Sequence, residues 1–246
     1  MNSIDHAKQS IRRRVWDLLE RERAAPSGVH GHIPDFTGKE DAAARLAELD
    51  VWKQARVIKC NPDRAQLPVR VRALQEGKLL YMAVPRLATP KPFYLLDPTV
   101  LTAPFEAAAT TTGAPDIAPT IGPDDMRPVD LVVCGSVAVS RQDGVRVGKG
   151  AGYSDLEIAL LTEAGVVTRG TTIATTIHPI QLLDEELPNA SHDFNVDLAI
   201  TPTEVLTCKT GRDRPAGIIA KGLRQDQLDS IPILGGTSRQ DARHNP

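Results

Sequence analysis

Residues 129–140, VDLVVCGSVAVS, constrain the fold more than any other stretch, because after Asp130 they are apolar or small at successive positions rather than at alternate ones. A strand apolar on one face can border solvent, whereas a strand apolar on both faces needs cover on both. The segment therefore predicts a central strand of a mostly parallel sheet with helices above and below it. The rest of the chain supplies the alternation such a sheet requires. In HAKQSIRRRVWDLLERE, Ile11, Val15, Leu18 and Leu19 stand at helical spacing, and Lys8 and Arg12, four apart, share a face. KEDAAARLAELD (39–50) reads as an alanine-rich helix, ARVIKC (55–60) as a short buried strand, and KLLYMAVPRL (78–87) as another strand. Between them PVRVRALQEG (68–77) reads as a helix begun by Pro68 and stopped by Gly77. Residues 26–38 are loop by composition, and the proline-rich 85–128 reads as a long irregular excursion of the kind that carries a site or a flap. A helix SDLEIALLTEAG (154–165), a strand TTIATTI (171–177), a connection through LLDEELP, a strand VDLAIT (196–201) and a polar tail complete the order. The organisation implied is one α/β domain over residues 1–235 with a disordered tail at 236–246.

Composition narrows the function. With 41% hydrophobic residues among 246, the chain can fill a sizeable core. Its 29 basic and 31 acidic side chains leave a formal charge of -2, so no global field draws it to nucleic acid or to an anionic membrane. Aromatics at 4% argue against a base-stacking surface. The polar start MNSIDHAKQSIRRR lacks an apolar run after its basic cluster, and no segment approaches 18 uncharged apolar residues. A cytoplasmic enzyme or binding protein acting on a small molecule is expected, with no nucleic-acid or membrane partner; oligomeric state is left open. Cys60, Cys134 and Cys208, far apart and odd in number, fit reduced structural thiols.

The chemistry is concentrated in GVRVGKGAGYSD, residues 144–155, between the central strand and the helix that follows. Parallel sheets deliver ligands to the carboxyl ends of their strands. Glycines at 144, 148, 150 and 152 let backbone N–H groups converge on an anion, and the next helix adds the positive end of its dipole. Lys149 and Arg146 would neutralise phosphate oxygens, and Asp155 in the first helical turn could hold Mg²⁺ directly or through water. The stretch fits neither GxxxxGK[ST] nor GxGxxG. A plainer reading stands beside this one: Asp143-Gly144 makes a hairpin turn, the other glycines give flexibility, and Asp155 complements the helix dipole. Elsewhere His30 and His32 read as loop histidines rather than metal ligands, His192 as a neighbour of Asp193, and Trp16 and Trp52 as packing residues. Arg12, Arg13 and Arg14 fan around a helix and make no nucleic-acid patch. For Gln181 the plainer reading is a cap on the following helix.

RVGKGAGYSD resembles the Arg-x-Gly-x-Gly-x-Gly-Tyr-Tyr-Asp signature of the 5-formyltetrahydrofolate cyclo-ligase family, also called methenyltetrahydrofolate synthetase. Lys8 and Arg12 stand at the spacing of that family's opening Lys-x-x-x-Arg, and HDFNVDLAIT supplies Asp193 and Asp197 for its late Asp-x-x-x-Asp pair. GSVAVS, GKGxGY and DLE bring the chain nearer to a divergent branch, the methenyltetrahydrofolate synthetase domain-containing proteins, in which an RNA-recognition module can follow; none is expected here. The resemblance implies a Rossmann-like three-layer sandwich of the NagB/RpiA/CoA-transferase kind. It also implies an ATP- and Mg²⁺-dependent ring closure of 5-formyltetrahydrofolate to the 5,10-methenyl compound. Carried over by position, Lys8, Arg12, Arg146, Gly148, Lys149, Gly150, Gly152 and Tyr153 would bind nucleotide. Lys149, Arg146 and Tyr153 would serve catalysis, and Asp155, Asp193 and Asp197 the metal. Ser154 stands where the signature has its second tyrosine and Ser140 where the family has a carboxylate. Ala65, Gln66 and Arg70 occupy the stretch where the family carries a glutamate, with Asp63 as its nearest acid. A nucleotide-binding member with another formyl or carboxyl substrate, or without turnover, is the alternative that these departures leave.

Overall fold

In chain order the strands are β1 (Val57–Cys60), β2 (Leu79–Ala83), β3 (Phe93–Leu96), β4 (Thr120–Ile121), β5 (Leu131–Cys134), β6 (Ala138–Ser140), β7 (Arg146–Val147), β8 (Thr172–Thr176), β9 (Leu182–Leu183), β10 (Leu198–Ile200) and β11 (Val205–Thr207). The helices are α1 (Ser3–Arg21), α2 (Lys39–Ala47), α3 (Asp50–Gln54), α4 (Leu67–Gln75), α5 (Phe105–Ala108), α6 (Ala114–Ile117), α7 (Tyr153–Glu163) and α8 (Gln225–Ser230). These come from a computed structural model, which describes residues 3–209, 214–219 and 223–239. Eight strands form one sheet in the order β11-β10-β8-β5-β1-β2-β3-β4. The five from β10 to β2 are parallel, and antiparallel β11, β3 and β4 close the two edges. The protein is thus α/β with a mostly parallel sheet, as expected.

Residue-by-residue alternation builds the layers. Ile58, Cys60, Leu80, Met82, Leu131 and Val133 point into one apolar cluster, shared with α1 through α6. Their neighbours Val57, Tyr81, Ala83, Val132 and Cys134 point into a second cluster, filled by α7 and by Ile231 and Leu234. Helix α7 is buried over six successive residues, Leu156 to Leu161, so it is covered nearly all round.

The valine-rich segment does not run as a single strand. It leaves the large sheet after Cys134 and continues as β6 in a separate three-stranded sheet of order β7-β6-β9. The break falls at Gly135, where a Cβ would lie 2.9 Å from Ile33 and 3.1 Å from a carboxylate oxygen of Asp63. Carbonyls freed by the break are taken up by Gln181, whose Nε2 donates to the oxygens of Ser136 at 2.8 Å and Val137 at 3.3 Å. Gln181 therefore caps no following helix; its Oε1 accepts from the His178 N–H at 2.8 Å in the 3₁₀ turn it belongs to. His178 caps the same turn, its Nδ1 accepting from Ile180 N–H at 3.2 Å, and burial lowers its pKa. A lowered folded-state pKa places the stabilising contribution above the unfolded value of about 6.5 and removes it as pH falls. Urea unfolding between pH 7.5 and 5 is expected to show that loss, and a His178→Asn variant, which keeps a capping acceptor, to reduce it.

Other expectations change in detail. The helix read over 39–50 is two, α2 and α3, with extended Leu49 between them; Trp52 is thereby buried, donating to Glu76 Oε2 at 2.7 Å. Residues 85–128 are irregular over most of their length, but β3 and β4 extend the sheet and α5 and α6 add single turns of helix, in pieces too short to show a period. The polar tail holds β11 and α8. The boundary at 235 falls inside a 3₁₀ stretch, Pro232–Arg239, and residues 240–246 lie outside the described residues.

Candidate functional site

At the carboxyl ends of β1 and β2 the structure encloses a cavity of ≈ 590 Å³, bordered on its other sides by α1, the 148–155 turn and residues 192–193. Helix α1 lies across the small sheet and turns Lys8 and Arg12 inward, each less than a tenth exposed. The Arg12 Nε donates to the Gly148 carbonyl at 2.7 Å, tying the first helix to the glycine turn, and burial lowers the Arg12 pKa. Lys8 is ion-paired with Asp193, whose carboxylate also accepts from Ala190 N–H at 2.5 Å.

The glycine stretch divides into two jobs. Gly144 belongs to the β6–β7 hairpin, where φ is +71° and a Cβ would strike the Val196 carbonyl at 2.2 Å; the hairpin reading holds for this glycine alone. Gly148, Gly150 and Gly152 line the cavity. At 150 and 152 φ is +103° and +75°, so both sit where only glycine is unstrained. A Cβ at 148 would lie 2.9 Å from an Arg146 nitrogen, and one at 150 would lie 3.3 Å from the Arg12 guanidinium carbon. Bare backbone thus faces the cavity with two guanidiniums directly behind it. Gly152 is also the N-cap of α7 and offers no side chain to that helix's first amides. From the far side, Arg224 and Gln227 donate to the Ala151 carbonyl at 3.2 and 3.3 Å and pin the turn.

Arg146 is 4% exposed, lies 3.8 Å from Asp155, and stacks over Phe194 at 4.3 Å. Burial opposes its charge, but Asp155 first, with Cys134, Asp193 and Glu157, raises its pKa overall. Burial likewise pushes the Asp155 carboxyl up, against the pull of Arg146. The Arg146 Nε has no hydrogen-bond acceptor, an orphan donor beside the glycine turn. Lys149, at the rim, donates to Asp63 at 3.0 Å. Tyr153, Asp155, His192 and Asp193 complete this wall.

Of the expected site residues, Lys8, Arg12, Arg146, Gly148, Lys149, Gly150, Gly152, Tyr153, Asp155 and Asp193 therefore meet at one cavity. Asp197 does not join them. Its carboxylate accepts from Ile173 N–H at 2.7 Å and pairs with Arg214, holding the start of β8. Among the described residues no three acidic, histidine or cysteine side chains gather as a metal-binding group. Asp155 and Asp193 nonetheless fit Mg²⁺, an ion held through one or two carboxylates with phosphate oxygens and water for the rest. Ser140 is fully buried and receives Gln142 N–H at 3.2 Å in the hairpin, outside the cavity.

The stretch after β1 also resolves. Arg70, 1% exposed, donates to the carbonyls of Asn61, Pro62, Asp63 and Ala109, a clamp that shapes the turn. Gln66 is wholly buried against Thr176, so Asp63 is the acid of this stretch that faces the cavity. Asn61, Arg86, Thr111 and Arg224 line it too. The sequence singled out none of these by residue: Arg86 and Thr111 lie in the excursion expected to carry a site or a flap, and Arg224 sits in a stretch read as tail. His30 pairs with Asp17 at 3.0 Å away from the cavity, and the His32 carbonyl accepts from Trp16 at 3.0 Å.

Comparison with known proteins places the chain in a family. The model of the 5-formyltetrahydrofolate cyclo-ligase family matches residues 4–202. A methenyltetrahydrofolate synthase domain-containing protein of Bos taurus is 39% identical over 241 residues, covering 96% of this chain and 63% of its own length. One from Mus musculus is 40% identical over 234 residues, covering 93% and 62%. The chain thus spans a little over three fifths of the length of these curated relatives. In fold it is similar to the NMR structure of Aquifex aeolicus 5,10-methenyltetrahydrofolate synthetase, with TM-score 0.53, 22% identity, and 84% of this chain and 95% of that one covered. With the family model extending from the first helix to the end of β10, this chain belongs to the 5-formyltetrahydrofolate cyclo-ligase family.

Proposed function

We propose that the protein is an ATP- and Mg²⁺-dependent cyclo-ligase that converts 5-formyltetrahydrofolate to 5,10-methenyltetrahydrofolate with release of ADP and phosphate. The observation that carries this reading is the junction of Lys8, Arg12 and Arg146 with three bare glycines at the start of α7, beside two carboxylates. ATP supplies the phosphoryl group that activates the formyl oxygen. The chain's part is to position and to neutralise, which suffices for phosphoryl transfer. The amides of residues 148–153 and the dipole of α7 receive phosphate oxygens. Lys8, Arg12 and Arg146 are buried counter-charges, fixed before the ligand arrives, and Lys149 swings from Asp63 to a phosphate at the rim. Asp155 and Asp193 would hold Mg²⁺, and Tyr153 borders the same wall. Buried free thiols at Cys60, Cys134 and Cys208 fit a reducing, cytoplasmic compartment, and no described helix is long and apolar enough to cross a membrane.

A second reading, nucleotide binding with another formyl or carboxyl substrate, is favoured by the small polar side chains Asn61, Asp63 and Ser154 in the lining of the cavity. Protein mixed with Mg-ATP and 5-formyltetrahydrofolate is expected to develop methenyl absorbance. Lys149→Ala should lower kcat/KM about tenfold to a hundredfold, the cost of one charge-assisted contact, and Asp155→Asn should abolish the Mg²⁺ response. Nucleotide binding without phosphate release on any folate would select the second reading, and no nucleotide binding at all would remove both.

A further inference from the structure

A buried relay runs from β1 to the first turn of α7. Lys59 is wholly buried in a strand whose other residues are apolar, and it meets two partners: Glu157 on α7, and Asn61 Oδ1 at 2.6 Å. Asn61, 2% exposed, has its backbone fixed at both ends, its N–H donating to Val133 and its carbonyl accepting from Arg70. Its side-chain nitrogen lies 2.7 Å from Ser154 Oγ. Ser154 and Asn61 both line the cavity.

The sense of each hydrogen bond follows from the inventory of donors. An ammonium only donates, so the Asn61 atom facing Lys59 is the oxygen. The amide nitrogen therefore faces Ser154 and donates to it, which leaves the serine's own proton for another acceptor. Among the described residues no protein atom accepts it. We propose that Ser154 is a ligand-binding residue whose hydroxyl, aimed by the Lys59–Asn61 relay, donates to an acceptor oxygen of the bound ligand between the glycine turn and the end of β1. This deepens the functional reading above and rests on it. The acceptor is either a phosphate oxygen of the nucleotide or a carbonyl oxygen of the second substrate, and the chemistry is the same.

Calorimetry separates the cases without needing turnover. Mg-ATP and then 5-formyltetrahydrofolate are titrated into the wild-type chain and into Ser154→Ala, Ser154→Thr, Asn61→Asp and the Asn61→Asp/Ser154→Ala double variant. Ser154→Ala is expected to bind one of the two ligands about tenfold more weakly and to lower Tm, because the buried Asn61 amide loses its acceptor, and Ser154→Thr, which keeps the hydroxyl, to recover both. Weakening confined to Mg-ATP identifies a phosphate oxygen, and weakening confined to the folate a carbonyl. Asn61→Asp puts a carboxylate where the amide donor stood, so it draws the serine proton to itself and away from the ligand. Removing Ser154 in that background should then cost nothing further, a coupling that a merely structural serine would not show. Undiminished binding of both ligands by Ser154→Ala, or additive losses in the double variant, overturns the proposal alone. Failure of the wild-type chain to bind either ligand overturns the functional reading and this inference together.

Discussion

Replacing Arg146 by methionine is expected to destabilise the protein by about 1–3 kcal/mol, because it strands the partly buried Asp155 carboxylate, and to abolish nucleotide binding. Arg146 and Asp155 lie 3.8 Å apart with side chains 3% and 18% exposed, and burial already presses the Asp155 carboxyl toward its neutral form. The guanidinium also covers Phe194, so methionine keeps part of the packing and loses the charge. The control is the Arg146→Met/Asp155→Asn pair, which leaves no ion behind. Urea unfolding should return much of the lost stability in the pair, while nucleotide binding stays lost in both. A pair no more stable than Arg146→Met would show that the cost lies in packing rather than in the unpaired carboxylate.

The second large effect is expected at Lys59. Lys59→Met leaves the Glu157 carboxyl unpaired in the interior, at a cost of about 3–5 kcal/mol, which for a chain this size is a fall in Tm of about 10 °C. Glu157 is 4% exposed and lies on a face of α7 flanked by leucine and isoleucine. The Lys59→Met/Glu157→Leu variant should regain most of that Tm, since apolar residues of similar volume often replace a buried ion pair without loss. It also removes the donor that orients the Asn61 amide. A refolded, stable double variant with wild-type ligand affinity would therefore detach the buried pair from the site and leave it a packing feature.

How far the sequence reached can be judged residue by residue. Lys8 and Arg12 are legible because a four-residue spacing on an amphipathic helix fixes their common face, and the structure buries that face. The glycine turn is legible because positive φ and close backbone approach select glycine at 150 and 152. Asp197 shows the limit: its spacing from Asp193 matched the expected pair, but the residue between β9 and β10 that turns to the cavity is decided by the Arg214 contact and the β8 ladder. Lys59 was read as part of a buried strand, and nothing local distinguished it from a lysine at a strand edge. Its partner is 98 residues away on another element.

Sequence alone determined the layering and the chemical types at the site: strands apolar on both faces require cover on both, and spaced glycines followed by a helix start present bare amides. Tertiary structure alone decided which polar residues meet. Ion pairs and hydrogen bonds act over about 3 Å, and that proximity is produced by the crossing of β1, α1 and α7, which no local pattern encodes. The split of VDLVVCGSVAVS between two sheets has the same origin, since Gly135 yields to the approach of Ile33 and Asp63 from elsewhere in the chain.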